Sequence, residues 1–204
     1  YAKQCDFVFH LAGVNRPKDV NEFVEGNYDF TTILLEKLKE NNNHAPVLIT
    51  SSIQAGQDNP YGKSKKAAED ILFAYEKETG NKVLVYRLPN VFGKWCRHNY
   101  NSVVATFCNN VANDLDITIN DPNVIMNLVY IDDVVSEFIN ALENKQNQID
   151  QYCFIPTVHT LSLGKIADII QDFKKSRTSL EIPDMSDEFV KKLYSTYLSY
   201  LPDD

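Results

Sequence analysis

The sequence predicts an α/β protein: a parallel sheet with helices packed on its faces. Three observations carry that prediction. Short apolar runs alternate with longer segments of helical periodicity, in the order strand, helix, strand, helix, strand. The strand runs are apolar throughout rather than at every second position, as a sheet covered on both faces requires. Each run then gives way to small, polar or turn-forming residues, at Ala12-Gly13, Ser51-Ser52 and Pro89-Asn90. In open parallel sheets, ligands bind at these carboxyl ends.

The first strand reads as Asp6 to Gly13, and Ala12 and Gly13 at its end suit either a plain turn or the close approach of a ligand. Phe23 to Lys39 has helical spacing at Phe23, Tyr28, Phe30, Ile33, Leu34, Leu35 and Leu38, with Asn42 and Asn43 as a polar stop. Asn27 falls among its inward positions, where an amide needs a partner. It holds a neighbouring loop or touches a ligand, the first being preferred. Pro46 to Ser52 is the second strand and ends in Thr50, Ser51 and Ser52. A helix begins after Asn59, and Lys82 to Leu88 is the third strand, leading into Pro89-Asn90-Val91-Phe92-Gly93. Beyond Gly93, residues 94–101 form a polar, aromatic and basic loop. A helix over about 102–113 and a short strand around Ile117–Ile119 follow. Leu128 to Ile131 reads as a strand entering a helix that runs to about Glu143, with Asp132 or Asp133 as its N-cap. Tyr152 to Ile155 is a further strand. Leu163 to Phe173 is a helix capped by Ser162, and Phe189 to Leu201 a last aromatic-rich helix suited to packing against something beyond the chain end.

Composition narrows the function classes. The 204 residues are 44% hydrophobic and 24% charged, an ordinary globular balance for one large domain or two small lobes. The net charge of -8 argues against a nucleic-acid partner, which needs clustered Lys and Arg. No apolar run approaches a membrane span, and no signal peptide is visible. Cys5, Cys96, Cys108 and Cys153 form no CxxC pair, so reduced thiols in a cytoplasmic protein are expected. His10, His44, His98 and His159 are dispersed, and no metal site is expected. The chain contains 7 glycines, and none forms a GxGxxG cluster. A phosphate loop, if the fold uses one, lies outside this sequence.

The chemistry concentrates in Asn59-Pro60-Tyr61-Gly62-Lys63-Ser64-Lys65. Apolar residues at Ala67, Ala68, Ile71, Leu72 and Tyr75 make the segment an amphipathic helix, so Tyr61 and Lys65 share a face one turn apart. A phenol of pKa about 10 donates a proton poorly near neutrality. A neighbouring ammonium is expected to lower that value by favouring the phenolate. Delivering a proton to a carbonyl oxygen needs a donor in reach and a second group to hold the oxygen. Tyr61 suits the first role and Ser52 the second, with Lys65 tuning the phenol. Thr50 and Ser51 remain alternatives for the hydroxyl. No side chain supplies a hydride, so a carbonyl reduction needs a cofactor.

These motifs resemble the extended short-chain dehydrogenase/reductases that act on nucleotide sugars. The resemblance rests on His10-Leu11-Ala12-Gly13, Asn27, Thr50-Ser51-Ser52, Tyr61 to Lys65, Arg87 to Gly93 and Val129 to Val134, spanning about residues 6–135. It implies an incomplete Rossmann-like sheet with a small substrate-binding lobe. Residues 1–92 would form a partial NAD(P)-binding domain and 93–204 mainly the lobe, with 128–155 returning to the first domain. It implies Ser52, Tyr61 and Lys65 as the catalytic triad. Leu11, Ala12, Gly13, Lys65 and Pro89 would then lie at the cofactor, and Asn90 at the substrate. Lys94 and Arg97 are candidates for the UDP pyrophosphate, with ordinary surface charge as the alternative.

Ser51 to Ala55, Asn90 to Arg97 and Leu193 to Leu201 narrow the resemblance to CapF-type capsule-synthesis enzymes. These join a reductase to a zinc-binding cupin epimerase. The implied reaction is NADPH-dependent reduction of a 4-keto UDP-6-deoxy-N-acetylhexosamine to UDP-N-acetyl-6-deoxy-L-talosamine, with NAD as the alternative cofactor and a homodimer as the full-length state. The departures are a loop of nine residues from Ser52 to Tyr61, without the family's Val-Tyr-Gly, and the missing phosphate loop and cupin. They suggest a portion of a longer enzyme that binds cofactor poorly by itself. An NAD-dependent epimerase or dehydratase is the alternative within this chemistry. A non-catalytic dinucleotide sensor or scaffold is the alternative outside it.

Overall fold

Strand β1 (Val8–His10) is the first element of the computed structural model, which describes residues 1–202. A continuous helical stretch follows: α1 (Asn21–Phe23), a π-helical segment over Val24–Asp29, and α2 (Phe30–Glu40). Next come β2 (Val47–Ser52), a 3-10 turn over Ile53–Gly56, α3 (Pro60–Thr79), β3 (Val83–Leu88) and β4 (Asn90–Phe92). The chain continues with α4 (Val103–Ala112), β5 (Ile125–Tyr130) and α5 (Ile131–Leu142). The hairpin of β6 (Gln148–Ile149) and β7 (Tyr152–Cys153) leads to β8 (His159–Ser162), α6 (Leu163–Ser179) and α7 (Glu188–Leu198).

These elements form two compact units. The first comprises Tyr1–Leu88 and Glu137–Pro156, the second Pro89–Ser136 and the residues from Thr157 onward. The boundary therefore falls at Pro89 rather than after residue 92. The returning segment is 137–156 rather than 128–155, because β5 pairs with β4 inside the second unit.

In the first unit the strand order is β1-β2-β3-β7-β6, with β1, β2, β3 and β7 parallel and β6 antiparallel to β7. Register pairs His10 with Ile49 and Ser52 with Leu88, so the carboxyl ends of β1, β2 and β3 lie along one edge of the sheet. Val47, Ile49, Val83 and Val85 are buried against Leu35, Leu38, Ala68, Leu72 and Tyr75 of α2 and α3. The hairpin is tied in by the buried Glu137, which accepts from the Tyr86 hydroxyl at 3.0 Å and from the Asn147 backbone and amide, each at 2.6 Å.

Local chemistry explains where α3 starts and stops. The Asn59 side chain accepts from Gly62 N at 2.7 Å, Pro60 sits in the first turn, and Gly80 ends the helix with φ 74°. Both the cap and the glycine stop are local, so this helix forms where its periodicity places it.

In the second unit, β4 and β5 are parallel and β8 is antiparallel to β5. Its core gathers Phe92, Phe107, Tyr130, Ile170, Phe173, Phe189, Leu193 and Tyr197. Phe189 and Tyr197 of α7 are buried within this unit, and Tyr194 packs against its core. Two further expectations differ. Ile117–Ile119 is not a strand; both isoleucines pack on the core, and no neighbouring strand pairs with the segment. Asp132 and Asp133 lie in the first turn of α5 rather than at its cap, where their charges still favour the helix N-terminus. Ser162 does cap α6, accepting from Lys165 N at 3.3 Å. Among the described residues no helix is long and apolar enough to cross a membrane.

Candidate functional site

Helix α3 places Lys65 in the first unit's interior. Its buried stripe is Gly62, Ser64, Lys65, Ala68, Glu69, Leu72 and Tyr75, so an acid and a base share the face that covers the sheet. Lys65 is 7% exposed, and its Nζ donates to the Thr50 carbonyl at 3.1 Å. Burial holds its pKa below the ordinary lysine value, and the Glu69 carboxylate opposes that shift. The Lys65 ammonium stands 5.9 Å from the centre of the Tyr61 ring.

Tyr61 differs from the sequence expectation. Its pKa is raised rather than lowered, because the half-buried phenol is desolvated; a hydrogen bond with Ser52 opposes the rise. Lys65, 5.9 Å from the ring centre, does not reverse this. The phenol is therefore protonated near neutrality and gives up its proton less readily than a free phenol.

The three hydroxyl residues at the end of β2 separate by strand alternation. Ser51 is buried, and its Oγ donates to Glu69 Oε1 at 2.5 Å. Ser52, at the strand end, is the hydroxyl that meets Tyr61, and its Oγ also accepts from Gln54 N at 3.2 Å. The turn after Ser52 and the start of α3 are pressed together at Gly62. A Cβ there would stand 2.2 Å from the Gln54 carbonyl oxygen and 2.7 Å from that of Gln57. Only glycine permits that approach, which is what brings Ser52 and Tyr61 within reach of each other.

The loop after β1 supplies the other wall. A Cβ on Gly13 would lie 2.9 Å from Lys65 Nζ and 2.7 Å from Asn27 Oδ1. Asn27 holds this loop, as preferred from the sequence. Its Oδ1 accepts from Val14 N and its Nδ2 donates to Val14 O, both at 2.9 Å, while Nδ2 also donates to Ser64 Oγ at 3.0 Å. Ala12 and Gly13 line a cavity of about 450 Å³ with Val14, Glu22, Glu25, Gly26 and Phe30, and Leu11 is exposed beside them. His10 is buried, with Nε2 2.8 Å from Thr31 Oγ1. The Thr31 hydroxyl gives its own proton to the Asn27 carbonyl at 2.6 Å, so the imidazole Nε2 is the donor in the first bond. Burial, then the Lys65 charge, pushes the His10 pKa down to about 4, and the ring is neutral.

Gly13, Ser52, Tyr61 and Lys65 thus come together within one unit. Pro89, Asn90, Lys94 and Arg97 belong to the other. Asn90 opens β4 and is exposed; Lys94 and Arg97 are exposed in the following loop, with the Arg97 guanidinium 5.0 Å from the centre of the Tyr100 ring. That loop is tied down where the Tyr200 hydroxyl donates to the Cys96 carbonyl at 2.5 Å.

One group escaped the sequence reading. Glu69 is fully buried and forms a two-pronged pair with Arg87, Nε to Oε1 at 2.9 Å and Nη2 to Oε2 at 2.6 Å. The Arg87 guanidinium stacks 4.0 Å from the centre of the Tyr152 ring. The signal was present as one acid in the apolar stripe of α3 and one base in the apolar run of β3, since buried charges occur almost only in pairs.

A parallel sheet whose strand ends converge on a tyrosine-lysine helix defines a Rossmann-like α/β protein. The chain belongs to the NAD dependent epimerase/dehydratase family, whose profile matches residues 1–152. Over 202 residues it is 46% identical to a Pseudomonas aeruginosa protein named UDP-2-acetamido-2,6-beta-L-arabino-hexul-4-ose reductase, covering 99% of this chain and 54% of that protein. The crystal structure of the capsular polysaccharide assembling protein CapF from Staphylococcus aureus superposes with a TM-score of 0.89 at 44% identity, covering 98% of this chain and 54% of that one. A UDP-N-acetylglucosamine 4-epimerase from Methanobrevibacter ruminantium shares the fold, with a TM-score of 0.80 at 20% identity, covering 96% of this chain and 76% of that one. The chain spans about half the length of the first two relatives, 54% of each.

Proposed function

We propose that the protein containing this chain reduces the 4-keto group of a UDP-6-deoxy-N-acetylhexosamine, with NADPH as the preferred cofactor. UDP-2-acetamido-2,6-dideoxy-hexos-4-ulose would be converted to UDP-N-acetyl-6-deoxy-L-talosamine, a precursor for capsular or O-antigen polysaccharide. The observation that carries this reading is the 46% identity, across almost the whole chain, to a protein named as a reductase of such a keto sugar. Reduced nicotinamide, when bound, supplies the hydride that the carbonyl carbon gains. Tyr61 gives its phenolic proton to the carbonyl oxygen, which the Ser52 hydroxyl holds in place. Lys65 stabilises the phenolate that remains, and Ser51 takes no part because Glu69 engages it. The cofactor fits the residues present. Lys65 uses one of its three N–H groups on Thr50, which leaves donors for the nicotinamide ribose. Gly13, having no Cβ, lets the backbone come close to that amine, with Leu11 and Ala12 next along the wall. Pro89 is assigned to the nicotinamide side, Asn90 to the sugar, and Lys94 and Arg97 to the pyrophosphate.

The name of that relative, a reductase, favours this direction over an epimerase or dehydratase, whose first step removes a proton from the sugar. The test is NADPH consumption by the full-length protein on addition of the 4-keto UDP-sugar. Stoichiometric oxidation with formation of the 4-hydroxy sugar is expected, and Tyr61→Phe should abolish it while retaining NADPH binding. Isomerisation without net NADPH loss would overturn the reductase reading.

A further inference from the structure

We infer that Glu69 is a positioning residue for the proton relay: its buried carboxylate, one helical turn beyond Lys65, keeps the Lys65 side chain in its ammonium form. This inference rests on the reading of Tyr61 and Lys65 given above and goes one step behind it.

The geometry is specific. Lys65 and Glu69 are four residues apart on the buried face of α3 and therefore neighbours on the helix surface. Lys65 is 7% exposed and among the described residues has one hydrogen-bond acceptor, the Thr50 carbonyl. An ammonium so enclosed loses its proton readily unless a negative charge supports it. The charges and titratable groups facing it are few. His10 on β1 is neutral, Tyr61 on α3 is protonated, and Thr50 on β2 and Asn27 beside Gly13 are uncharged dipoles. Glu22 and Glu25 line the cavity on the other side of Gly13, and Glu69 is the acid on the same buried stripe as Lys65.

Glu69 itself is held by groups from three strands. Arg87 on β3 grips both carboxylate oxygens, Ser51 on β2 donates to Oε1, and the Tyr152 hydroxyl on β7 donates to Oε2 at 3.4 Å. Arg87 is also the cation that would compete for this anion, yet its side chain is 27% exposed, so water screens its charge more than that of Lys65. A plain structural pair needs no lysine on the same stripe. Here the pair is coupled to the one lysine whose charge the relay uses.

Glu69→Gln keeps the shape and an acceptor for Ser51 and Arg87 but removes the charge. The protonation midpoint of Lys65, followed through its 13Cε signal and assigned by loss of that signal in Lys65→Met, is expected to move to lower pH. The alkaline limb of kcat should move the same way. Ser51→Ala disturbs the same network without changing its charge and should leave both in place. Should Glu69→Gln alone fail to fold, Glu69→Gln with Arg87→Met removes both charges together, a change that buried pairs tolerate better; the Lys65 midpoint should still fall. An unmoved Lys65 midpoint in a folded variant overturns the inference. Because that midpoint is read without substrate or cofactor, its outcome is separate from the proposed reaction, which full turnover in Tyr61→Phe would overturn instead.

Discussion

Gly13 lacks a side chain because the Lys65 amine and the Asn27 amide already occupy the space a Cβ would take, at 2.9 and 2.7 Å. Gly13→Ala must therefore displace one of two groups that other bonds hold. The Asn27 amide is fixed by three hydrogen bonds and Lys65 by one, so the lysine should yield. We expect a folded protein, destabilised by about 1–3 kcal/mol as in other overpacked sites. Turnover should fall more steeply than this loss of stability would imply. Thermal melting together with steady-state kinetics checks this, and unchanged kcat would show that Lys65 is not held through Gly13. The same scale separates Ser51 from Ser52. The two are adjacent and chemically identical, yet one is bonded to a buried carboxylate and the other meets the tyrosine.

At the scale of elements, the site depends on the junction between the turn at Ile53–Gly56 and the start of α3. The helix N-terminus is set by the Asn59 cap and Pro60, and its approach to the turn is set by Gly62. Gly62→Ala would normally favour a helix interior by about 0.5–1 kcal/mol. Here the added methyl meets two backbone carbonyl oxygens at 2.2 and 2.7 Å, so the sign reverses. The helix start must move away from Ser52. The expected outcome is a lower melting temperature and loss of most turnover, with the circular dichroism of the helices unchanged. Full activity in Gly62→Ala would show that the Ser52–Tyr61 approach does not depend on this contact.

The alternation of strand and helix in the first unit was legible because buried parallel strands and amphipathic helices leave strong local patterns. Ile117–Ile119 looked like a strand and is not, while β6 and β8 went unremarked. The reason is common to all three: strand formation depends on a partner, and the partner is distant in sequence. Within the site, Tyr61 and Lys65 were legible from helical spacing. Glu69 and Arg87 were not, because their meaning arises only when residues 18 apart are brought together.

For the whole molecule, the buried His10 links stability to pH. Its pKa is about 4 when folded against 6.5 as an ordinary histidine. Between those values the unfolded chain binds more protons, so stability rises with pH across that window. The contribution is complete above the unfolded value and is lost as pH falls towards the folded one. Its size is about 3 kcal/mol by the free-energy equivalent of a pKa difference. Denaturant melts of the wild type and His10→Gln between these limits should show a steeper acid-side loss in the wild type. Parallel curves would exclude His10 as the source.

What the sequence by itself determined is what short-range chemistry governs: the buried strands, the helix after Asn59, and the tyrosine and lysine one turn apart on it. Periodicity and capping act within a few residues, so they can be read along the chain. The tertiary structure decided which serine meets the tyrosine, why two glycines stand where they do, how the described residues divide into two units, and which buried acid backs the lysine. Those depend on burial and on contacts between separate strands and helices, and burial is also what reversed the expected pKa shift of Tyr61. A neighbouring charge can be inferred from spacing; the loss of water around a phenol cannot.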